Sequence, residues 1–342
     1  MKRIVVRAPG GHAALELVRE ADPVPGPGEV RVAVRACGIN YADCMVRLGL
    51  YTAAKDLYPL TPGFEFSGVV DAVGTGVTKV QHGQKVLGYT RFGGYTSSIV
   101  VSERQLFPCP EGWSFAECAG FPAVYFTAYH ALHKVAKVER GETILIHSAA
   151  GGVGTALIQL GRIAGCKTVG VVGAPHKVEL CKELGADEVI DRSRPSGLWP
   201  EAERIAPQGY DAIFDANGVQ SLRDGFKRLA HGGRLVVYGF AEMLPRGKEK
   251  PGWLGLAWNW LKVPRFSPLD MTTSNRSVMG FNVVFLFHKL DLADRAMYDL
   301  LRWVQEGRIK KTPVSEFPIE KAGEAHRALE SGRTTGKLVL TL

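Results

Sequence analysis

Over the first 120 residues the apolar positions come in short runs of strand length, at Val30–Ala36, Ser67–Val73 and Tyr95–Val101. Pro25-Gly26-Pro27-Gly28, Pro62-Gly63 and Gly93-Gly94 punctuate them. Short alternating runs broken by turn dipeptides predict a β-rich barrel or sandwich. Near residue 114 the period changes. Ser114-Phe115-Ala116-Glu117 sets a hydroxyl and a carboxylate three apart, a capping box that predicts a helix start, and a second apolar stretch covers Tyr125–Val135.

From Glu142 strand-like runs alternate with helical segments. The candidate strands are Thr143–His147, Thr168–Gly173, Glu188–Asp191, Ala212–Asp215, Arg234–Tyr238 and Ser277–Phe281. β units joined by helices through short loops predict a parallel, doubly wound sheet. In the tail, Leu292, Ala296, Leu300 and Val304 give Leu290–Glu306 the spacing of an amphipathic helix. A further helix is expected over Ile319–Glu330 and a closing strand over Lys337–Leu342. The expected division is 1–121 with 286–342 as a split β-rich lobe, and 122–285 as the doubly wound lobe.

Composition narrows the function. With 46% hydrophobic and 22% charged residues the 342-residue chain has ordinary globular usage, which excludes disorder and coiled coil. Lys and Arg number 42 against 34 Asp and Glu, a net charge of +8. The basic residues are dispersed and no nucleic-acid-binding motif accompanies them, so an anionic small ligand accounts for the balance and a nucleic-acid partner is not expected. Cys37, Cys44, Cys109, Cys118, Cys166 and Cys181 form no C-x-x-C pair and do not alternate with His at zinc spacing. A reduced cytoplasmic protein without structural zinc is expected. Arg7 and Pro9 cut off any signal-peptide core, and the apolar run Val278–Phe287 falls short of the roughly 18 residues that span a bilayer.

The sharpest chemical signal is Ile144-Leu145-Ile146-His147-Ser148-Ala149-Ala150-Gly151-Gly152-Val153-Gly154, a strand running into a glycine turn that opens a helix. Against G-x-G-x-x-G it places Ala149, Gly151 and Gly154. Gly151 lets backbone N–H groups approach a pyrophosphate and Gly154 lets the helix pack on the strand. The next strand ends at Val172-Gly173-Ala174-Pro175-His176-Lys177 without the carboxylate that would take the ribose hydroxyls of NAD. Lys177, His176 and Arg192 offer charge for a 2′-phosphate, so NADP(H) is the expected cofactor. The plainer alternatives are a solvated helix-start lysine and a surface arginine.

Ala36-Cys37-Gly38-Ile39-Asn40-Tyr41-Ala42-Asp43, Pro62-Gly63-Phe64-Glu65-Phe66-Ser67-Gly68-Val69-Val70, Gly93-Gly94-Tyr95 and the glycine turn together resemble the medium-chain dehydrogenase/reductase superfamily, in order and spacing, across nearly all of the chain. Its zinc-dependent members carry Cys at the place of Asn40 and His at the place of Phe64, with a four-cysteine lobe for a second zinc. This chain has none of these. It is more similar to the zinc-free quinone oxidoreductase (zeta-crystallin-like) branch, and most similar to the vesicle amine transport protein homologues through Ala36–Asp43, Gly49-Leu50-Tyr51, the tryptophan-bearing insert before Gly280-Phe281, and Gly336-Lys337-Leu338-Val339-Leu340.

The resemblance implies a GroES-like catalytic domain with a Rossmann domain, no metal, and hydride transfer from NADPH to a quinone or an α,β-unsaturated carbonyl. It implies Asn40 and Tyr51 as the groups that orient the substrate oxygen and Asp43 as the holder of their network. Asn40 could equally cap a turn, Asp43 start a helix, and Tyr51 pack. Thr127, Gly239 and Phe281 match positions near the nicotinamide; Gly336 and Lys337 match positions near the cofactor. The edge strand near Val278 implies a homodimer. His130 and His133 lack a visible third ligand, and Cys37 and Cys44 read as buried thiols. Pro251–Leu261, preceded by Arg246, Lys248 and Lys250, holds three tryptophans and suits a lid, a dimer contact or a membrane-surface contact. A lipid-binding or transfer protein with vestigial reductase activity is the alternative.

Overall fold

The computed structural model describes residues 1–243 and 252–342. In the first part, β1 (Lys2–Val5) pairs antiparallel with β2 (Glu16–Arg19). Then come β3 (Glu29–Ile39), α1 (Tyr41–Arg47), β4 (Glu65–Val73), β5 (Lys85–Tyr89), β6 (Ser98–Ser102), β7 (Leu106–Pro108) and α2 (Phe115–Ala119). Val30, Val32 and Val34 of β3 alternate into a core shared with Phe66, Val86 and Val101. The predicted run from Tyr95 becomes a strand only at Ser98. Gly93, Gly94 and Tyr95 instead donate N–H bonds to the carbonyls of Thr61, Gly63 and Pro62, which folds this stretch against the Pro62-Gly63 turn. The capping box at Ser114 forms as expected, with the Glu117 carboxylate accepting the Ser114 N–H at 2.7 Å.

The second part contains α3 (Pro122–Tyr129), a π-helical stretch to Ala136, β8 (Thr143–Ile146), α4 (Gly152–Ala164), β9 (Lys167–Val172), α5 (Val178–Glu183) and β10 (Glu188–Asp191). It continues through α6 (Leu198–Ile205), β11 (Tyr210–Asp215), α7 (Gln220–Lys227), β12 (Leu229–Val237), α8 (Trp253–Lys262), α9 (Pro268–Ser274) and β13 (Ser277–Gly280). Its six strands are all parallel, in the order β10-β9-β8-β11-β12-β13. Numbered from β8, that is the doubly wound order 3-2-1-4-5-6. β12 begins five residues before the predicted Arg234, because a register shift against β11 accommodates His231-Gly232-Gly233 within the strand.

α10 (Leu290–Gln305), β14 (Val314–Pro318), α11 (Ala322–Glu330) and β15 (Lys337–Thr341) complete the chain. β15 pairs antiparallel with β3 and parallel with β14, so both ends of the chain build one sheet ordered β14-β15-β3-β4-β5-β7, with β6 on β3. The buried stripe of α10 is Ala293, Ala296, Met297, Leu300 and Trp303, while the predicted Leu292 and Val304 are only half-buried. Ala296 and Leu300 fall in the stripe as expected, and at its two ends burial moves inward, to Ala293 and to Trp303, because a spacing of four drifts from the 3.6-residue period. The Trp303 ring packs 6.2 Å from Tyr129 of α3. One apolar cluster runs through both parts, from Phe64 and Leu87 through Phe126 to Ile146 and Leu300. On α8, Trp258 and Trp260 are 60% and 64% exposed. Arg246, Lys248, Lys250 and Pro251 lie outside the described residues.

Candidate active site

A cavity of about 820 Å³ opens between the two parts and runs from the ends of β9 and β10, past the glycine turn, to Asn40 and Tyr51. It follows the carboxyl ends of the parallel strands, where doubly wound sheets take their ligands. At its centre β8 passes through Ser148 and Ala149 into α4. The close packing falls on Gly154, where a Cβ would sit 2.3 Å from the Ser148 carbonyl oxygen and 2.7 Å from the Ala149 Cα. Gly151 has ordinary φ and more room, its nearest would-be contact being 3.3 Å. Gly152 and Val153 line the cavity beside it. β15 docks directly on this turn, the Gly336 N–H donating to the Ala150 carbonyl at 2.8 Å.

At one end stand Gly173, Lys177 and Arg192. Lys177 is not a solvated helix-start lysine. Its Nζ donates to the carbonyls of Gly332 at 2.6 Å and Thr334 at 3.0 Å, and burial, with Arg192 nearby, holds its pKa below the usual lysine value. His176 Nε2 lies 3.2 Å from the Arg333 carbonyl oxygen. Arg192 is exposed, and among the described residues its guanidinium has no hydrogen-bond or ion-pair partner. An unengaged cation beside Gly173 is a ready anion site.

At the other end Asn40 caps α1. Its backbone N–H donates to Asp43 Oδ2 at 2.8 Å, and Asp43 Oδ1 accepts the Gly63 N–H at 2.7 Å. Asp43 is fully buried and does not reach the cavity, and burial pushes its carboxyl up to about 7 against the opposing pull of those two N–H groups and Lys337. The Asn40 amide donates from Nδ2 to Glu65 Oε1 at 2.9 Å and accepts at Oδ1 from Lys337 Nζ at 2.6 Å. Lys337 and Glu65 also pair directly at 2.6 Å, with side chains 5% and 0% exposed. Glu65 Oε2 takes the Ala123 N–H at the start of α3, at 2.8 Å.

Tyr51 donates its hydroxyl across the cleft to Asn282 Oδ1 at 2.9 Å, and its ring meets Phe64 edge-on at 5.9 Å. Burial pushes its hydroxyl up to about 12, so it remains a neutral donor. Thr127 lines the cavity but returns its hydroxyl to the Ala123 carbonyl at 2.6 Å. Gly239 and Phe281 border the same space, Phe281 stacking on Tyr238 at 6.2 Å. The named cofactor candidates line the cavity, apart from the buried Ala149 and His176, and Asn40 and Tyr51 line it as well.

Glu65 and Asn282 carried no role in the sequence reading. Glu65 stood in view within Phe64-Glu65-Phe66, where a carboxylate between aromatics in a strand demands a buried partner. Asn282, a lone amide interrupting an apolar run, carried no comparable signal.

A split β-rich sheet closing on a doubly wound one, with a glycine turn at the floor of the cleft, is the architecture of a nucleotide-dependent oxidoreductase. The alcohol dehydrogenase GroES-like domain model matches residues 26–111 and the zinc-binding dehydrogenase model residues 184–340. The human synaptic vesicle membrane protein VAT-1 homolog is 34% identical over 342 residues, covering 99% of this chain and 86% of that protein. Mouse quinone oxidoreductase is 31% identical over 348 residues, covering 100% of this chain and 98% of that one. The Escherichia coli quinone oxidoreductase complexed with NADPH superposes with a TM-score of 0.85 at 25% identity over all of both chains. The chain belongs to the medium-chain dehydrogenase/reductase superfamily, close to the quinone oxidoreductases and the VAT-1 homologues.

Proposed function

We propose that this chain is a zinc-independent, NADPH-dependent oxidoreductase whose acceptor is a quinone or an α,β-unsaturated carbonyl. The observation that carries the reading is the continuous cavity joining the glycine turn to the Asn40 amide, with an ammonium rather than metal ligands behind that amide. Zinc does not fit here. Phe64 offers only carbon, Asn40 is already engaged by Lys337, and no group of three or more His, Cys, Asp or Glu among the described residues is arranged to hold a metal. The residues present fit NADPH: the N–H groups of Gly151–Gly154 at the start of α4 would hold its pyrophosphate, Arg192 and Lys177 its 2′-phosphate, and Thr127, Gly239 and Phe281 would border its nicotinamide.

The cofactor supplies a hydride; the chain supplies position and a polar contact. Without a Lewis acid the acceptor must already be electrophilic, which favours quinones and enones over simple ketones or alcohols. Asn40 offers an N–H to the oxygen on which charge develops, and Tyr51 offers its O–H once that oxygen replaces Asn282 as its partner, while Asp43 holds the Asn40 main chain. Leu50, Phe64, Phe285 and Phe287 wall that end with apolar surface, which excludes water and suits a planar, apolar acceptor.

The same reading takes 1–121 and 286–342 as the catalytic domain, 122–285 as the nucleotide domain, a cytoplasmic location, and a homodimer joined along β13. Exposed Trp258, Trp260 and Leu261 favour a second reading, a membrane-surface or lipid-binding protein with residual reductase activity. No helix among the described residues is long and apolar enough to cross a membrane. NADPH consumption over a panel of quinones and enones tests the first reading, and co-sedimentation of wild type and Trp258→Ala with liposomes tests the second. Liposome binding without NADPH oxidation by any acceptor would sink the reductase reading.

A further inference from the structure

Nearly every polar group of Asn40 is committed. The backbone N–H is held by Asp43, Oδ1 faces Lys337 Nζ, and one N–H of Nδ2 faces Glu65. An ammonium can only donate and an ionised carboxylate can only accept, so the two partners dictate which way round the amide sits. The amide nitrogen has a second N–H, and among the described residues it has no partner; Asn40 is half-buried and lines the cavity. Lys337 is itself fixed by packing. A Cβ at Gly120 would lie 2.8 Å from Lys337 Cγ, and one at Gly152 would lie 3.4 Å from its Cδ, so two glycine gaps hold the stem that carries the ammonium to Asn40.

We propose that Lys337, with Glu65, is a positioning residue for the acceptor: the pair locks the Asn40 amide so that its free N–H meets the acceptor oxygen, and Lys337 does not serve to hold the dinucleotide. This rests on the reductase reading. As an enone takes up the hydride at its β-carbon, the displaced π electron pair passes through the α-carbon to the carbonyl oxygen. The resulting enolate then takes a proton from solvent at the α-carbon. The free N–H of Asn40 meets that oxygen, and the Lys337 charge on Oδ1 polarises the amide so that its N–H donates more strongly as charge builds.

Three variants separate this from a structural ion pair. Lys337→Met combined with Glu65→Gln removes the clamp without leaving a buried carboxylate unpaired, Asn40→Ala removes the donor and keeps the ion pair, and the triple variant combines them. The clamp-free protein is expected to lose kcat on the order of 10²-fold with the NADPH dissociation constant changed by less than about threefold. The triple variant should be no worse than Asn40→Ala by more than about threefold, because the groups act as one unit. A rise in the NADPH constant that matches the fall in kcat/KM, an unchanged kcat, or losses that multiply would each overturn the proposal.

A readout free of turnover uses the wild type with NADP⁺. The side-chain NH₂ signals of Asn40, identified by their loss in Asn40→Ala, should show one proton shifting when a quinone or enone is added and the other staying fixed. That result keeps the clamp even if no acceptor is reduced and the reductase reading falls. If both protons move, or neither does, the clamp is wrong, including where the clamp-free protein fails to fold.

Discussion

Arg192 and Lys177 border the same end of the cavity with different obligations. Lys177 already binds two carbonyls of the loop before β15, whereas Arg192 is unengaged among the described residues. Arg192→Ala is therefore expected to weaken NADPH about tenfold, the loss of one charge-assisted contact of roughly 1.5 kcal/mol, while NADH binding stays within about twofold; cofactor fluorescence titration checks both. His326 makes a second residue-scale case. It is fully buried, 3.1 Å from the Tyr95 hydroxyl and 3.5 Å from the Cys44 thiol, and burial, then Arg47 and His12, drive its pKa well below the ordinary value. The folded chain keeps the ring neutral, while the unfolded chain protonates it near about 6.5. The unfolded state then binds more protons, so stability falls as the pH drops through that value. The thermal midpoint should be lower at about pH 5.5 than at about pH 7.5, and His326→Gln should flatten the slope; an equal slope in both proteins would exclude His326 as the source. Asn40 and Asp43 were legible because they sit three apart in one local motif. The bond from Lys337 to Asn40 was not legible, because the two lie 297 positions apart and meet only once β15 lies beside β3.

Among the elements, the passage from β8 to α4 divides its demands between two glycines. Gly154→Ala pushes a methyl into the backbone at Ser148 and Ala149, which cannot yield as a side chain would. It should cost about 2 kcal/mol of stability, visible as a lower thermal midpoint. Gly151→Ala meets only one contact, at 3.3 Å and with φ of −88°, and should keep its midpoint; because Gly151 lines the cavity, the added methyl is expected to weaken NADPH, which cofactor titration checks. The parallel strands were legible as apolar runs because both faces of that sheet are covered. The start of β12 was hidden by a glycine pair, and only the two ends of the α10 stripe differ, Ala293 and Trp303 being buried in place of Leu292 and Val304. Periodicity locates a helix, but the neighbour it packs on, here α3 with Tyr129 against Trp303, selects which side is buried.

For the molecule as a whole, the cleft is spanned by Tyr51 and Asn282, one from each side. Tyr51→Phe should raise the acceptor KM several-fold, within the roughly 0.5–1.5 kcal/mol of one hydrogen bond, and leave NADPH binding unchanged; steady-state kinetics beside cofactor titration decides it. β13 is an edge strand with Val278 half-buried and, among the described residues, β12 as its only neighbour. An open apolar edge tends to pair, so sedimentation at micromolar concentration should show a dimer that Val278→Lys returns to monomer, and wild-type protein that stays monomeric would refute it. The sequence alone determined the two-part architecture, the glycine turn and the lack of an acid after β9. Each of these is written in neighbouring residues, whose spacing and chemistry act over a few bonds. Only the tertiary structure decided that Glu65 and Lys337 grip Asn40, that Tyr51 spends its hydroxyl on Asn282, and that Lys177 and His176 meet backbone carbonyls while Arg192, among the described residues, has no partner. Those outcomes depend on which distant groups burial forces together, and a buried charge or amide must find its partner wherever the chain brings one.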